Sequence, residues 1–292
     1  MTEAMNIITV SPEDCLQTVF DNAPENARIH LLPGIYREKV VIRTRGLKIV
    51  GSGADQTILV WDDYAKKRDR LGAEWNTFRT YTLAVCADNV YMSDLAVEND
   101  ARQPEKKGQE VALSVIADGF SMENCLLRST QDTLFLGPLP SDLIGRYEGF
   151  LHDELRRYAT CRSHFTNCRI EGTVDFIFGC GEAEFDRCVI HSGYDVRNCG
   201  YVAAPSHEPW QEKGFVFDCC VFTADKAVED GSIYLARPWR DMGMSVFRNC
   251  VYGPHIAAEG FDKWSGTQRD RTARFFEQPP VPGRVAWCNR GE

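Results

Sequence analysis

The 292-residue sequence holds no apolar run near the ~18 residues that crossing a bilayer requires, so no membrane-spanning helix is expected. Its first ten residues, Met1 to Val10, have neither a basic flank nor an apolar stretch of signal-peptide type. It has no Cys-x-x-Cys and no His-Glu-x-x-His, and its six histidines stand apart, so no metal or other cofactor is expected. Basic clusters are also scarce. The longest is Lys66-Lys67-Arg68, and 33 Lys and Arg against 42 Asp and Glu give a net charge of −9. Nucleic acid and anionic membrane are thereby excluded as expected partners. Twelve cysteines are too few for a disulfide-stapled miniprotein of this length and fit buried thiols in a reducing compartment. The expected location is therefore cytoplasmic, with secretion the alternative if a leader has been removed. No Pro-, Gly- or Ser-rich linker divides the chain, which predicts one domain over residues 1–292, acting as a monomer.

What the sequence does have is a repeat. Met122-Glu-Asn-Cys125-Leu-Leu, Phe165-Thr-Asn-Cys168-Arg-Ile, Phe185-Asp-Arg-Cys188-Val-Ile, Phe217-Asp-Cys-Cys220-Val-Phe and Phe247-Arg-Asn-Cys250-Val-Tyr share one template. Tyr91-Met-Ser-Asp94-Leu-Ala is an earlier copy with Asp in place of Cys. The template cysteines are 43, 20, 32 and 30 residues apart. Short strand-like units at such intervals, without a 3.6-residue period, predict a β-solenoid. Cys125, Cys168, Cys188, Cys220 and Cys250 should then form an interior ladder at the ~4.8 Å spacing of stacked strands. Helical signal is confined to the start. Ser11-Pro-Glu-Asp14 supplies a cap, an N1 proline and an N3 acid ahead of Cys15, Leu16, Val19 and Phe20. The helix should cover the open end of the solenoid. Asp62–Arg79 and Gly137–Thr160 break the pattern and read as excursions; the second, with Pro138, Pro140, Asp142, Arg146, Glu148, Asp153, Glu154, Arg156 and Arg157, is expected beside a functional cleft.

Polar residues that interrupt strand-like runs are the candidates for chemistry. Gln131-Asp132-Thr133 precedes the apolar Leu134-Phe135-Leu136, and Asp175 lies inside Thr173-Val-Asp-Phe-Ile-Phe178. A carboxylate there is costly unless partnered. Arg237 follows Ile233-Tyr-Leu-Ala236 and leads into Pro238-Trp239-Arg240. Two acids, an arginine and a tryptophan can form an acid/base site with a platform for a sugar ring. A purely structural Asp175–Arg237 pair is the competing reading.

Along almost the whole chain these residues resemble the pectin methylesterases, carbohydrate esterases built on a right-handed parallel β-helix. The matching elements are Pro33-Gly-Ile-Tyr36-Arg-Glu-Lys-Val40, Gly108-Gln109-Glu110-Val-Ala-Leu113, Gln131-Asp132-Thr-Leu134, Gly172-Thr-Val-Asp175-Phe-Ile-Phe178-Gly179, Tyr234-Leu-Ala-Arg237-Pro-Trp239 and Gly260-Phe-Asp-Lys-Trp264. The resemblance implies an all-β helix with an N-terminal capping helix, and hydrolysis of methyl esters in methylated galacturonan or its oligomers, without a cofactor. It implies Asp175 as nucleophile, Asp132 as general acid/base, Gln109 and Gln131 as oxyanion donors, and Arg237 as the partner of the nucleophile. Trp239, Phe178, Tyr36 and Trp264 are the implied substrate contacts. Three features depart from the family pattern: Ala236 in place of Gly, Glu110 beside Gln109, and 43 residues between the aspartates where one solenoid turn is usual. If Gly137–Thr160 loops out, the aspartates meet on neighbouring turns. A lyase with clustered calcium-binding acids and a polygalacturonase-type hydrolase each lack support in the sequence; an esterase or thioesterase acting on a non-pectin ester, or a non-catalytic polysaccharide-binding β-helix, remains the alternative.

Overall fold

The computed structural model describes residues 7–101, 108–149, 151, 156–157 and 161–290. The chain winds as a right-handed parallel β-helix, its strands forming three parallel sheets of ten, seven and eight members among the described residues. One turn contributes Phe120–Glu123, Leu126–Arg128 and Leu134–Leu136, and the next Arg162–Thr166, Arg169–Gly172 and Val174–Gly179. Counterparts align residue on residue: Met122 with Phe165, Leu127 with Ile170, Leu134 with Ile177.

The repeat template follows from this winding. Its first position faces the interior, where Met122, Phe165, Phe185, Phe217 and Phe247 are fully buried. Phe165, Phe185, Phe217 and Phe247 stack with ring centroids 5.0, 4.7 and 4.8 Å apart, the spacing of adjacent strands. The residue before each template cysteine turns the corner between two sheets in the left-handed region, with φ of 54° at Asn124, 52° at Asn167, 51° at Arg187, 54° at Cys219 and 53° at Asn249. Asn tolerates that region better than most residues, which accounts for its recurrence. The cysteine then enters the core. The Sγ atoms of Cys168, Cys188, Cys220 and Cys250 lie 3.4, 3.4, 3.2 and 3.5 Å from backbone carbonyl oxygens one turn back. All twelve cysteines are free thiols, and of the ladder only Cys250 is partly exposed.

Helix α1, Leu16–Asn22, covers the end of the solenoid with Leu16 and Phe20 buried. It begins later than the Ser11-Pro-Glu-Asp14 signal implies. Asp14 folds back on Ser11, accepting from its backbone N at 2.8 Å and its hydroxyl at 2.9 Å, so the acid serves a turn. The cap comes from elsewhere: the Glu38 carboxylate accepts from the backbone N–H groups of Leu16 and Gln17 at 2.8 and 3.0 Å. The Gln17 amide meets the edge backbone of Val41 with two hydrogen bonds of 2.9 and 2.8 Å, closing the edge of the first seven-stranded-sheet strand, Val40–Ile42.

Both excursions leave the solenoid on one side. Asp63, 2% exposed, accepts from the Lys39 ammonium at 2.7 Å, and that ammonium lies 5.0 and 4.7 Å from the ring centres of Trp75 and Tyr81. Gly137–Thr160 departs after Leu136, and the next turn resumes at Arg162. The register of the flanking strands shows that the segment adds no rung to any sheet. Its described part includes α2, Ser141–Arg146; Asp153, Glu154 and Thr160 lie outside the described residues.

Candidate active site

Because Leu134 aligns with Ile177, Asp132 and Asp175 sit on neighbouring turns, joined by a 3.1 Å hydrogen bond from the Asp132 backbone N to the Val174 carbonyl. The pairing of Val174–Gly179 with the next turn slips between Val174 and Ile177, and Asp175 lies at the irregularity. Both aspartates adopt positive φ, 65° and 51°, and both are 7% exposed. Left-handed backbone at a non-glycine residue costs of order 1–2 kcal/mol and persists where the surroundings enforce it. Here the flanking strands do so. Gly179 closes the run where a Cβ would strike the Leu136 carbonyl of the turn below.

The Arg237 guanidinium grips Asp175 with two parallel hydrogen bonds, Nε to Oδ1 at 2.8 Å and Nη2 to Oδ2 at 2.6 Å. Its faces are covered by Tyr201 and Trp264, with ring centres at 3.7 and 4.1 Å. Trp264 reaches this place because the closing segment bridges the last turn at Ala236 and Phe261, and its own backbone has φ 69°. Burial raises the Asp175 carboxyl above the ordinary value, and the hydrogen bonds and charge of Arg237 oppose the rise. For Asp132, burial and the neighbouring charge of Asp175 push the carboxyl well above its ordinary value. One of its oxygens, Oδ1, is buried without a hydrogen-bond partner. The proton of the pair therefore belongs on Asp132 and the negative charge on Asp175.

These groups line a cleft of about 400 Å³. Gln109, Gln131, Asp132, Asp175, Arg237, Phe178, Trp239 and Trp264, all expected from the sequence, share its wall. Tyr36 does not. Its ring is 2% exposed in the core and its hydroxyl lies 2.9 and 2.8 Å from the carbonyl oxygens of Val10 and Leu32, so its expected substrate contact is corrected to a structural role. Glu110, beside Gln109, is buried and accepts from the Thr130 hydroxyl at 2.9 Å. The sequence reading missed Thr77 and Phe78 of the first excursion, Leu143, Arg146 and Tyr147 of the second, and Ala204 and Arg240. Phe78 packs edge-on against Phe135 at 5.0 Å and Tyr147 at 5.6 Å, which joins the two excursions over the cleft. Among the described residues no cluster of three or more His, Cys, Asp or Glu is arranged to hold a metal ion, and no helix is long and apolar enough to cross a membrane.

Comparison with known proteins gives a consistent picture. The family model described as Pectinesterase matches residues 5–138 and 147–282, leaving out the stretch that holds the whole of α2. Pectinesterase 31 of Arabidopsis thaliana is 31% identical over 256 residues, covering 85% of this chain and 71% of its own. The solved pectin methylesterase PemA from Erwinia chrysanthemi superposes with a TM-score of 0.78 at 25% identity, over 92% of this chain and 87% of its own. A pectin methylesterase solved in complex with a hexasaccharide gives 0.75 at 27% identity, over 88% and 80%.

Proposed function

The chain belongs to the pectinesterase family, and we propose that it is a pectinesterase that hydrolyses the methyl esters of methylated galacturonan or its oligomers through an aspartate nucleophile, releasing methanol. The observation that carries the reading is the pair of buried aspartates on adjacent turns, one gripped by Arg237 and the other with a free buried oxygen.

In the first half-reaction the Asp175 carboxylate attacks the ester carbonyl. The negative charge formed on the carbonyl oxygen is met by the side-chain amides of Gln109 and Gln131, donors that do not titrate. Protonated Asp132 gives its proton to the methoxy oxygen as the C–O bond breaks and methanol leaves. The galacturonyl group is then held as a mixed anhydride on Asp175. In the second half-reaction ionised Asp132 takes a proton from water, which attacks the acyl carbon and frees Asp175 and the galacturonate acid. Asp132 is protonated again and the cycle closes. Arg237 favours the charged form of Asp175 at both ends of the cycle. Phe178, Trp239 and Trp264 offer apolar faces for the sugar rings. Action as a monomer is part of the proposal, and an extracellular polymer as substrate favours secretion over the cytoplasmic alternative.

Methanol measured from fully methylated oligogalacturonide and from a simple non-carbohydrate methyl ester, with thiol measured from a simple thioester, tests the reading. The oligogalacturonide should be preferred by at least about a hundredfold in kcat/KM, since remote binding contributes to the barrier. A preference for the simple ester or thioester would overturn the substrate assignment.

A further inference from the structure

We propose that Glu110 is a positioning residue for the oxyanion donors, bracing the backbone that carries Gln109 against the backbone that carries Gln131 so that both side-chain amides aim at one oxygen. The proposal rests on the esterase reading above and deepens it by naming what sets the geometry of the two donors.

Gln109 and Gln131 line the cleft, but neither belongs to a strand. The chain between Leu126–Arg128 and Leu134–Leu136 is irregular and carries Asp132 at φ 65°. Strand pairing therefore does not fix the place of Gln131, and individual hydrogen bonds must do so. Glu110 makes three of them, to three consecutive residues. Its backbone N–H donates to the Gln131 carbonyl at 2.9 Å, and its carbonyl accepts from the Ser129 hydroxyl at 2.6 Å. Its carboxyl oxygen Oε1 accepts from the Thr130 hydroxyl at 2.9 Å. Beyond this bracket the same residues are tied to the turn of Asp175: the Thr173 N–H donates to the Thr130 carbonyl at 2.8 Å, and the Asp132 N–H to the Val174 carbonyl at 3.1 Å. On the other side the Gln109 carbonyl accepts from the Ala65 N–H at 2.9 Å.

Two of the three bonds use the Glu110 backbone and survive a change of side chain. The bond to Thr130 does not. Glu110 is 1% exposed, and a carboxyl is costly to bury, so its presence there calls for a return. The return is control over Thr130, the residue directly before Gln131. Glu110 is also one of the departures from the family pattern, which makes this brace a property of this chain.

The test measures kcat and KM for methanol release from fully methylated oligogalacturonide by wild type and four variants, beside their melting temperatures. Glu110→Ala and Thr130→Val remove the same bond. In each, kcat should fall roughly tenfold with KM held within about twofold, because the donors matter most as charge develops on the carbonyl oxygen. Glu110→Gln keeps an acceptor and Thr130→Ser keeps a hydroxyl, and both should stay within about threefold of wild type in kcat. Combining Glu110→Ala with Thr130→Val should cost no more than the worse single change. Thr130→Val is close to wild type in shape, so it carries the test if Glu110→Ala does not fold. Wild-type kcat in folded Thr130→Val or Glu110→Ala, whatever the melting temperature, would overturn the proposal and leave the esterase reading standing. A loss carried by KM, or additive losses in the double variant, would do the same. No methanol from wild type would overturn both.

Discussion

Asp132 sits where its ionised form is disfavoured, and that has a consequence for stability as well as for rate. Its folded carboxyl is well above the ~3.9 of an unfolded chain, so the native state keeps a proton that the unfolded state releases. The stability contribution is complete below the unfolded value and is lost as pH rises toward the folded one. Asp132→Asn removes this penalty. Its melting temperature should exceed that of wild type by roughly 5 °C at pH 7 and match it near pH 3.5, while kcat falls about 10²–10⁴-fold because an amide cannot shuttle the proton. Equal melting temperatures at both pH values would contradict a raised Asp132. Arg237 acts through its fork: Arg237→Lys keeps the charge but not the two parallel bonds to Asp175, and kcat should drop about 10–100-fold with the fold intact. Full activity in that variant would remove geometry from the argument. The polar residues Asp132 and Asp175 were legible because the first abuts an apolar β run and the second interrupts one, and both are buried. The places of Arg146 and Tyr147 were not: charge and proline marked their excursion as lying beside a cleft, but no local pattern says which of its side chains line it. Tyr36 misled because an aromatic in a shared motif can serve the core as readily as a ligand.

At the level of single elements, the corner between sheets is the part of the fold most directly written in the sequence. Asn167 holds φ 52° on an exposed corner, so Asn167→Ala should cost about 1 kcal/mol in equilibrium unfolding while Asn167→Gly stays within a few tenths. Equal losses in both would show that the side chain, not the backbone, matters there. The start of α1 was harder to read because its cap is remote. The Leu16 and Gln17 N–H groups are served by Glu38, more than 20 residues away, and local capping rules cannot see such a partner. Glu38→Ala should lower stability by about 1–2 kcal/mol with kcat unchanged, a split read from denaturant melts beside steady-state rates. The interval of 43 residues between the aspartates shows the reverse case: charge, proline and the missing template marked Gly137–Thr160 as extra to the solenoid, and strand register agrees. Replacing residues 139–146 with a short Gly-containing turn should leave the β-sheet circular dichroism and a cooperative melt. The cost should be limited to the burial of Leu139 and Leu143 in the satellite apolar cluster. Loss of folding in that variant would mean the helix supports the turns beneath it.

Across the whole molecule, a stiff stack of turns places two carboxyls on adjacent rungs and leaves the variation to the loops beside them. The Phe ladder and the interior thiols lock the rung spacing, and rung spacing sets how close Asp132 and Asp175 come. A surface at net −9 gives an anionic polymer no long-range attraction, so binding must come from contacts within the cleft. The central claim is that Asp175, held by Arg237, is the nucleophile that attacks the methyl ester. The most direct measurement is methanol release from fully methylated oligogalacturonide by wild type and by Asp175→Asn, each shown to be folded by its circular dichroism and melting transition. Wild type should turn over, and Asp175→Asn should release methanol at least about a thousandfold more slowly. An Asp175→Asn protein that keeps a substantial fraction of wild-type turnover would contradict the account.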